Sequence, residues 1–162
     1  MGAVTYPTLE HVAMQARPYP VHLLKGCETG LVLFAAAFLG HNDAIHFAEA
    51  GMTCECVDVD GDRLDEMREL YPDDWAFYEA DAWTYAQAAQ REELTWDVIS
   101  ADTFTGSVMR RSLDSLELWT SLARRVVTAT YTAGEAYEVP KGWQGELFHR
   151  AALVYWLVLT RD

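Results

Sequence analysis

Residues 31–62 read LVLFAAAFLGHNDAIHFAEAGMTCECVDVDGD, and this stretch decides the fold. An apolar run is followed by a break at residues 39–43, a short helical pattern that ends at Gly51, and a second apolar run that ends on acids. This order predicts a strand, a tight turn, a helix and a strand. In open α/β sheets, the first such turn and an acid ending the second strand form a nucleotide pocket. Asp58 is the acid that we expect there, with Asp60 as the second choice.

Apolar runs and helical patterns alternate along the rest of the chain. The first run could instead be a helix from Glu28 to Phe38, because Ala35, Ala36 and Ala37 favour helices. Alternating elements followed by a helix-poor end predict an α/β fold. We expect an open sheet, mostly parallel with an antiparallel C-terminal strand, and helices on both faces. The expected strands are Leu31–Phe38, Thr53–Asp58, Trp75–Tyr78, Trp96–Asp102, Val126–Tyr131 and Val154–Thr160.

Helical patterns fill the intervals between these strands. Gly51 suits the end of the first helix, because glycine readily adopts the left-handed conformation there. One or two helical turns are also expected at Leu9–Ala16. The main helices are expected from a cap at Asn42 or Asp43 to Ala50, from a cap at Asp62 to Tyr71, from about Thr84 to Glu93, and from Ser107 to Ala123.

Composition narrows the class of protein. The 162 residues suit one domain, 1–162, and 51% of them are hydrophobic. A net charge of −13, from 25 acids and 12 bases, disfavours a direct grip on nucleic acid, although a local basic cluster such as Arg110-Arg111 or Arg124-Arg125 stays open. The sequence shows no leader pattern and no apolar run long enough to span a bilayer, so we expect a cytoplasmic protein without membrane contact.

Cysteine and histidine positions give no sign of a metal or disulfide site. Cys54 and Cys56 lie on one face of a predicted strand, and Cys27 is the third cysteine. An odd number in this arrangement argues against a disulfide framework. His41 and His46 are five residues apart, which is a poor spacing for a metal pair. We therefore expect no metal.

Short motifs follow one another at the predicted strand ends. They are Gly40-His41-Asn42-Asp43, Cys56-Val57-Asp58-Val59-Asp60, Glu79-Ala80-Asp81-Ala82-Trp83 and Trp96-Asp97-Val98-Ile99-Ser100-Ala101-Asp102. This succession, over roughly residues 31–131, resembles the motif ladder of class I S-adenosylmethionine-dependent methyltransferases. The resemblance implies a Rossmann-like fold and S-adenosylmethionine as the cofactor.

The resemblance also implies roles for individual residues. The turn Gly40, His41 and Asn42 would pass under the cofactor's methionine and ribose. Asp58, with Val59 beside it, would take the ribose hydroxyls, because one carboxylate offers two acceptor oxygens to a diol. Near the adenine, the resemblance places Asp81, Ala82 and Trp83.

Catalytic and substrate residues are expected after the fourth strand. Asp102 stands where a base or a substrate-orienting acid belongs, with Thr103 next to it as a second catalytic candidate. Phe104, together with Glu28 and Thr29, is expected to contact the substrate. The acceptor is expected to be a small molecule or a small protein, and a homodimer stays open.

Two departures from the family pattern keep other interpretations open. Gly40 is the lone glycine of a turn that usually has two or three, and the turn after Asp102 lacks the prolines of amino-methylating enzymes. Asp58 could be an ordinary strand-end acid, and Asp81 or Asp102 could simply cap a helix. The main alternative function is a binding or interaction protein of the same fold without catalysis. A nicotinamide-dependent oxidoreductase is disfavoured, because Gly-x-Gly-x-x-Gly is absent.

Overall fold

A computed structural model of the chain describes residues 19–36, 43–103 and 106–162. The helical turns expected at Leu9–Ala16 lie outside these residues, as do Gly40, His41, Asn42 and Phe104. The strands are β1 (Thr29–Leu33), β2 (Thr53–Asp58), β3 (Ala76–Glu79), β4 (Trp96–Ala101), β5 (Ala123–Thr132), β6 (Gln144–Ala151) and β7 (Val154–Thr160). The helices are α1 (Ala44–Glu49), α2 (Gly61–Leu70), α3 (Ala82–Arg91), α4 (Ser107–Leu113) and α5 (Leu116–Leu122), and a short 3-10 helix covers Val21–Leu24.

All seven strands form one sheet in the order β3-β2-β1-β4-β5-β7-β6. The first five strands are mutually parallel, whereas β7 runs antiparallel to both β5 and β6. Strand order reverses between β1 and β4, which is the switch point where open α/β sheets bind ligands. The prediction of a mostly parallel sheet with an antiparallel C-terminal end is confirmed.

The sheet is buried on both faces. Successive residues of each central strand point to opposite faces, and each face packs against its own core. Leu31, Ile99 and Val127 face a core that includes α3, α4 and α5. Val32 and Val98 face a second core that includes α1 and α2. Burial on both faces explains why β4, the sequence WDVISA, is apolar almost throughout. Helices therefore cover both faces, as predicted.

The first strand is shorter than predicted. It ends at Leu33, and Phe34 takes a left-handed conformation with φ of 57°. The next two backbone N–H groups bond to the second strand: Ala35 donates to the Val57 carbonyl at 3.0 Å, and Ala36 donates to Asp58 Oδ2 at 3.0 Å. These bonds override the helix preference of the alanines, so the alternative helix from Glu28 is also wrong.

The predicted long helix Ser107–Ala123 is wrong, because two helices replace it. Between α4 and α5, Ser115 donates its hydroxyl to the Arg111 carbonyl at 2.7 Å, and its N–H bonds to the Ser112 carbonyl at 2.9 Å. Such a local side-chain bond competes with continuation of the helix. The chain then enters β5 at Ala123, three residues earlier than predicted.

Helix ends show one confirmed expectation and two corrections. Gly51 closes α1 with φ of 76°, as predicted. Asp60, and not Asp62, caps α2 by accepting the Arg63 N–H at 3.2 Å. Asp43 precedes α1 but makes no capping bond, since its carboxylate is bound elsewhere. No helix of the described residues is long and apolar enough to cross a membrane.

Candidate functional site

The carboxyl ends of the parallel strands bring several predicted residues to one edge of the sheet. Phe34 follows β1, Asp58 ends β2, and Asp102 follows β4. Asp81 comes two residues after the end of β3 and starts α3. The predicted cofactor turn, Gly40, His41 and Asn42, lies outside the described residues.

The turn after β1 takes a glycine-like conformation without a glycine. Phe34 has the left-handed φ that costs an ordinary residue about 1–2 kcal/mol. Its ring packs against Trp83 and Trp119, with ring centroids 5.2 and 6.4 Å apart. Since aromatic packing of this kind is stabilising, these contacts offset the backbone strain.

Asp58 is held in place by backbone groups on both sides. Its Oδ2 accepts the Ala36 N–H at 3.0 Å, and its Oδ1 accepts the Asp60 N–H at 2.9 Å. Each carboxylate oxygen has two lone pairs, so each can accept one further hydrogen bond. The residue is partly buried, and the neighbouring Val59 is 66% exposed. The carboxylate is therefore fixed in position and still able to bind a diol.

Asp81 caps α3. Its Oδ2 accepts the Thr84 N–H at 2.9 Å and lies 3.1 Å from the Thr84 hydroxyl. The capping alternative is confirmed, and an adenine contact for this exposed carboxylate stays a prediction.

Ala82 and Trp83 are core residues, with 4% and 7% of their surface exposed. The Trp83 indole N–H donates to Ser115 Oγ at 2.8 Å, and the Arg111 guanidinium lies 3.8 Å from the ring centroid. Stacking of an adenine on Trp83 stays a prediction. It now requires that Arg111 leave the ring.

Asp102 is completely buried and has one oxygen fully engaged. Its Oδ1 accepts Arg150 Nη1 at 2.6 Å and the Thr130 hydroxyl at 2.7 Å. Its Oδ2 is buried without a hydrogen-bond partner among the described residues. Thr103 is also buried, and its N–H donates to Thr130 Oγ1 at 2.9 Å. The capping alternative for Asp102 is wrong, because Gly106 precedes α4.

A second buried aspartate, Asp43, belongs to the same region. Its Oδ2 accepts the hydroxyls of Ser100, at 2.9 Å, and Thr128, and its Oδ1 accepts the Trp156 indole N–H at 3.0 Å. Burial, together with the negative charge of Asp102, raises the pKa of Asp43 to about 7. Asp43 is therefore poised to exchange a proton near neutral pH.

Arg150 supplies the positive charge of this buried region. Burial alone would lower the pKa of the guanidinium, but the Asp102 carboxylate outweighs it and raises the pKa. The guanidinium also lies 4.7 Å from the centroid of the Trp156 ring. Sequence reasoning missed Arg150, which lies 48 residues from Asp102. The signal in the sequence was a charged residue, Arg150, shortly before the apolar strand Val154–Thr160.

Two aromatic residues complete the surroundings of Asp43. Tyr19 stacks on His46 with ring centroids 4.6 Å apart and meets the Trp156 ring edge-on at 5.4 Å. Burial, then the Asp43 charge, raises the pKa of Tyr19 well above its usual value, and burial lowers the pKa of His46.

The structure does not bring Glu28 and Thr29 to this edge. They lie at the amino end of β1, where both N–H groups donate to Asp97 Oδ2 at 2.7 and 3.2 Å. Arg124 Nη2 donates to the Thr29 hydroxyl at 3.0 Å. This arrangement ties strand starts together, on the edge opposite Asp58 and Asp102. The described part of the chain also holds no group of three or more His, Cys, Asp or Glu residues suited to a metal ion.

Comparison with known proteins gives matches at the level of structure only. No protein-family model matches the sequence, and a search of curated proteins finds no match. The structure resembles an O-methyltransferase from Bacillus cereus solved in complex with SAH. Their TM-score is 0.67 and their identity 11%, over 94% of this chain and 90% of that chain.

Two further solved structures are larger than this chain. A SAM-dependent methyltransferase from Agrobacterium tumefaciens matches with a TM-score of 0.62 and 12% identity, over 88% of this chain and 58% of that chain. TrmN from Thermus thermophilus matches with a TM-score of 0.62 and 19% identity, over 87% of this chain and 47% of that chain. The chain thus spans about half the length of these two proteins. Together with the strand order, these matches show that the chain has the class I methyltransferase fold.

Proposed function

We propose that this chain binds S-adenosylmethionine and transfers its methyl group to a small molecule or a small protein. One observation carries the proposal. The Asp58 carboxylate stands at the end of β2, where each oxygen accepts one backbone N–H, from Ala36 or from Asp60, among the residues that the structure describes. In this fold, that position next to the switch point is where a nucleoside ribose binds.

The residues present fit the cofactor at the ribose. A ribose diol has two donors, and Asp58 can accept one on each oxygen without losing its backbone bonds. Phe34 lets the turn after β1 bend as a glycine would, which keeps its backbone close to Asp58. The remaining turn residues, Gly40, His41 and Asn42, stay predicted contacts of the methionine part.

The chemistry expected at this edge is displacement at a methyl carbon. When bound, the cofactor supplies a methyl group activated by a sulfonium. The protein's contribution is to hold the acceptor in line, because positioning supplies most of the rate enhancement in such a transfer. Asp102 Oδ2 can accept a hydrogen bond or a proton from an N–H or O–H acceptor group, while Arg150 and Thr130 hold Oδ1.

One observation favours the alternative of a cofactor-binding protein without catalysis. Asp102 is 0% exposed, so an acceptor does not reach Oδ2 in this conformation. In that case, Arg150 and Asp102 would serve the fold, and Asp58 would still bind the cofactor.

Calorimetric titration with S-adenosylmethionine, with its demethylated product S-adenosylhomocysteine (SAH) and with NADH tests the proposal. We expect the first two ligands to bind and NADH to show no heat. Asp58→Asn should weaken binding of both by about 1.5–3 kcal/mol, or roughly ten- to a hundredfold, because a charge-assisted bond is lost. Asp65→Asn is the matched control, because Asp65 is an exposed acid on α2.

The outcomes separate the possibilities. An unchanged dissociation constant in Asp58→Asn would remove Asp58 from the site. Binding of NADH alone would replace the proposal with the oxidoreductase alternative, and equal losses in Asp58→Asn and Asp65→Asn would reduce the effect to general charge.

A further inference from the structure

A cleft with a basic lining lies at the amino edge of the sheet, where β5 starts and β7 ends. Its volume is about 290 Å³, and its polar lining includes His22, Lys25, Arg125, Thr160 and Arg161. Of the basic pair Arg124-Arg125, only Arg125 lines the cleft, and Lys25 and Arg161 reach it from two other segments. The cleft is separate from the candidate site, because β4, whose six residues correspond to roughly 20 Å, lies between the two edges.

Backbone carbonyls hold the two guanidinium groups. Arg125 Nη1 donates to the Lys25 carbonyl at 3.1 Å. Arg125 also lies against Gly26, where a Cβ would come within 3.1 Å of the same Nη1. Arg161 donates to the carbonyls of Arg124 and Ala123 at 3.0 and 2.6 Å. These bonds restrict both side chains without neutralising their charge.

No carboxylate pairs with these bases in the described part of the chain. Five arginines there do form salt bridges, and they are Arg63, Arg68, Arg110, Arg124 and Arg150. Among the described residues, Lys25, Arg125 and Arg161 form no salt bridge and no acid lines their cleft, although Glu28 and Asp162 are close in sequence. In a chain with 25 acids and 12 bases, three unpaired bases around one cleft leave a local positive charge that a ligand can use.

We propose that this cleft binds a phosphoryl group. Guanidinium groups donate two parallel bonds to phosphate oxygens, and a lysine adds a compact charge that can turn toward the same anion. The volume has room for a phosphate or a diphosphate. The phosphoryl group belongs either to a small phosphate ester or to a polynucleotide backbone. The site does not depend on the proposed methyl transfer.

An NMR titration of the 15N-labelled protein with pyrophosphate tests the site. The amide signals of Lys25, Arg125 and Arg161 should shift together and saturate. The variant Lys25→Gln/Arg125→Gln should weaken binding about tenfold or more, because two exposed charge-assisted contacts are lost. Both side chains are exposed, so the fold should be kept.

The variant Arg91→Gln/Lys141→Gln is the matched control. It removes two exposed bases that form no salt bridge among the described residues, so its net charge equals that of the cleft variant. Its affinity for pyrophosphate should change less than twofold. Equal weakening in both variants would overturn the proposal, because the binding would then follow net charge.

A second titration with a uridine decamer identifies the source of the phosphoryl group. Saturation by pyrophosphate with no tighter binding of the decamer supports a small phosphate ester. Tighter binding of the decamer, weakened by salt and lost in the cleft variant, supports a polynucleotide backbone. The proposal would be overturned if neither pyrophosphate nor the decamer shifted the amide signals of the cleft.

Discussion

The carboxyl edge of the sheet has two halves that hold their acids in different ways. In the Asp58 half, formed by the ends of β1, β2 and β3, the acids accept backbone N–H groups and keep contact with solvent. In the Asp102 half, formed by β4, β5, β6 and β7, the acids Asp43 and Asp102 are 0% exposed and depend on side chains.

This difference separates the roles that the acids can take. A partly exposed carboxylate that is fixed by backbone N–H groups can take a ligand without disturbing its neighbours. Burial, and then the charge of Asp102, raise the pKa of Asp43, and Arg150 interacts with both carboxylates, so a change at one of these residues is felt at the others. The Asp58 half is thus suited to binding. In the Asp102 half, a substitution that alters the buried acids should also alter the stability of the fold.

The largest effect should come from Arg150→Met, which breaks the Asp102 half. The variant leaves Asp102 buried without its charge partner, at a typical cost of about 3–5 kcal/mol. Urea denaturation followed by circular dichroism measures this free energy of unfolding. Arg68→Met is the control, because Arg68 pairs with Asp65 at the surface, where such pairs contribute about 1 kcal/mol or less.

Similar losses in the two arginine variants would show that Arg150 and Asp102 do not form a buried unit. The division of the edge into two halves would then have no energetic basis on this side.

A smaller effect concerns the pH dependence of stability, through Asp43. Its pKa is about 7 in the folded protein and about 3.9 in an unfolded chain, so the folded state keeps a proton that the unfolded state releases. The stabilisation is present below about pH 4 and is lost as pH rises through about 7. Between these two pKa values, the free energy of unfolding can fall by up to about 1.4 kcal/mol per pH unit.

Melting temperatures of the natural protein and of Asp43→Asn, measured from pH 4 to 8, test this expectation. The groups facing Asp43 are Tyr19, Asp102, Arg150 and His46, and His46 contributes the opposite slope because burial lowers its pKa. The difference between the two proteins reports Asp43 together with its effect on Tyr19 and Arg150. Parallel pH profiles would contradict the assignment.

Local patterns in the sequence predicted much of the fold. Strand β7 has the predicted bounds, Val154–Thr160, because its apolar residues pair on both sides and are buried. Gly51 ends α1 as expected from its backbone freedom. One error lies where distant contacts decide, because Ala35 and Ala36 turn toward β2. The other is local, because the Ser115 hydroxyl bonds to the Arg111 carbonyl and divides the predicted long helix.

The same distinction applies to the candidate site. Asp58 and Asp102 were predicted as site residues because each ends a predicted strand. Their position along the chain is sufficient to place them at the carboxyl edge of the sheet. The buried positions of Asp43 and Arg150 at this site were missed, because their partners are distant in sequence. Asp43 bonds to Ser100, 57 residues away, and Arg150 bonds to Asp102, 48 residues away. Glu28 and Thr29, which directly precede the predicted first strand, lie at the amino edge of the sheet and not at the carboxyl edge.

The smallest expected effect sharpens the Asp58 half, at Asp81. Asp81→Ala removes the cap of α3 and should cost about 1 kcal/mol, or a melting temperature lower by about 2–4 °C. Asp81→Ser is the matched variant, because serine also caps helices and should keep most of the stability. An unchanged melting temperature in Asp81→Ala would contradict the cap.

Titration of Asp81→Ser with S-adenosylmethionine then separates the two roles of this carboxylate. If Asp81 also accepts from the adenine amine, Asp81→Ser should bind the cofactor several-fold more weakly at nearly unchanged stability, because the carboxylate is lost while the cap remains. Equal affinity in Asp81→Ser and the natural protein would leave Asp81 with the cap alone. Asp81 would then take no part in binding the cofactor, and the adenine would have to be held by other groups.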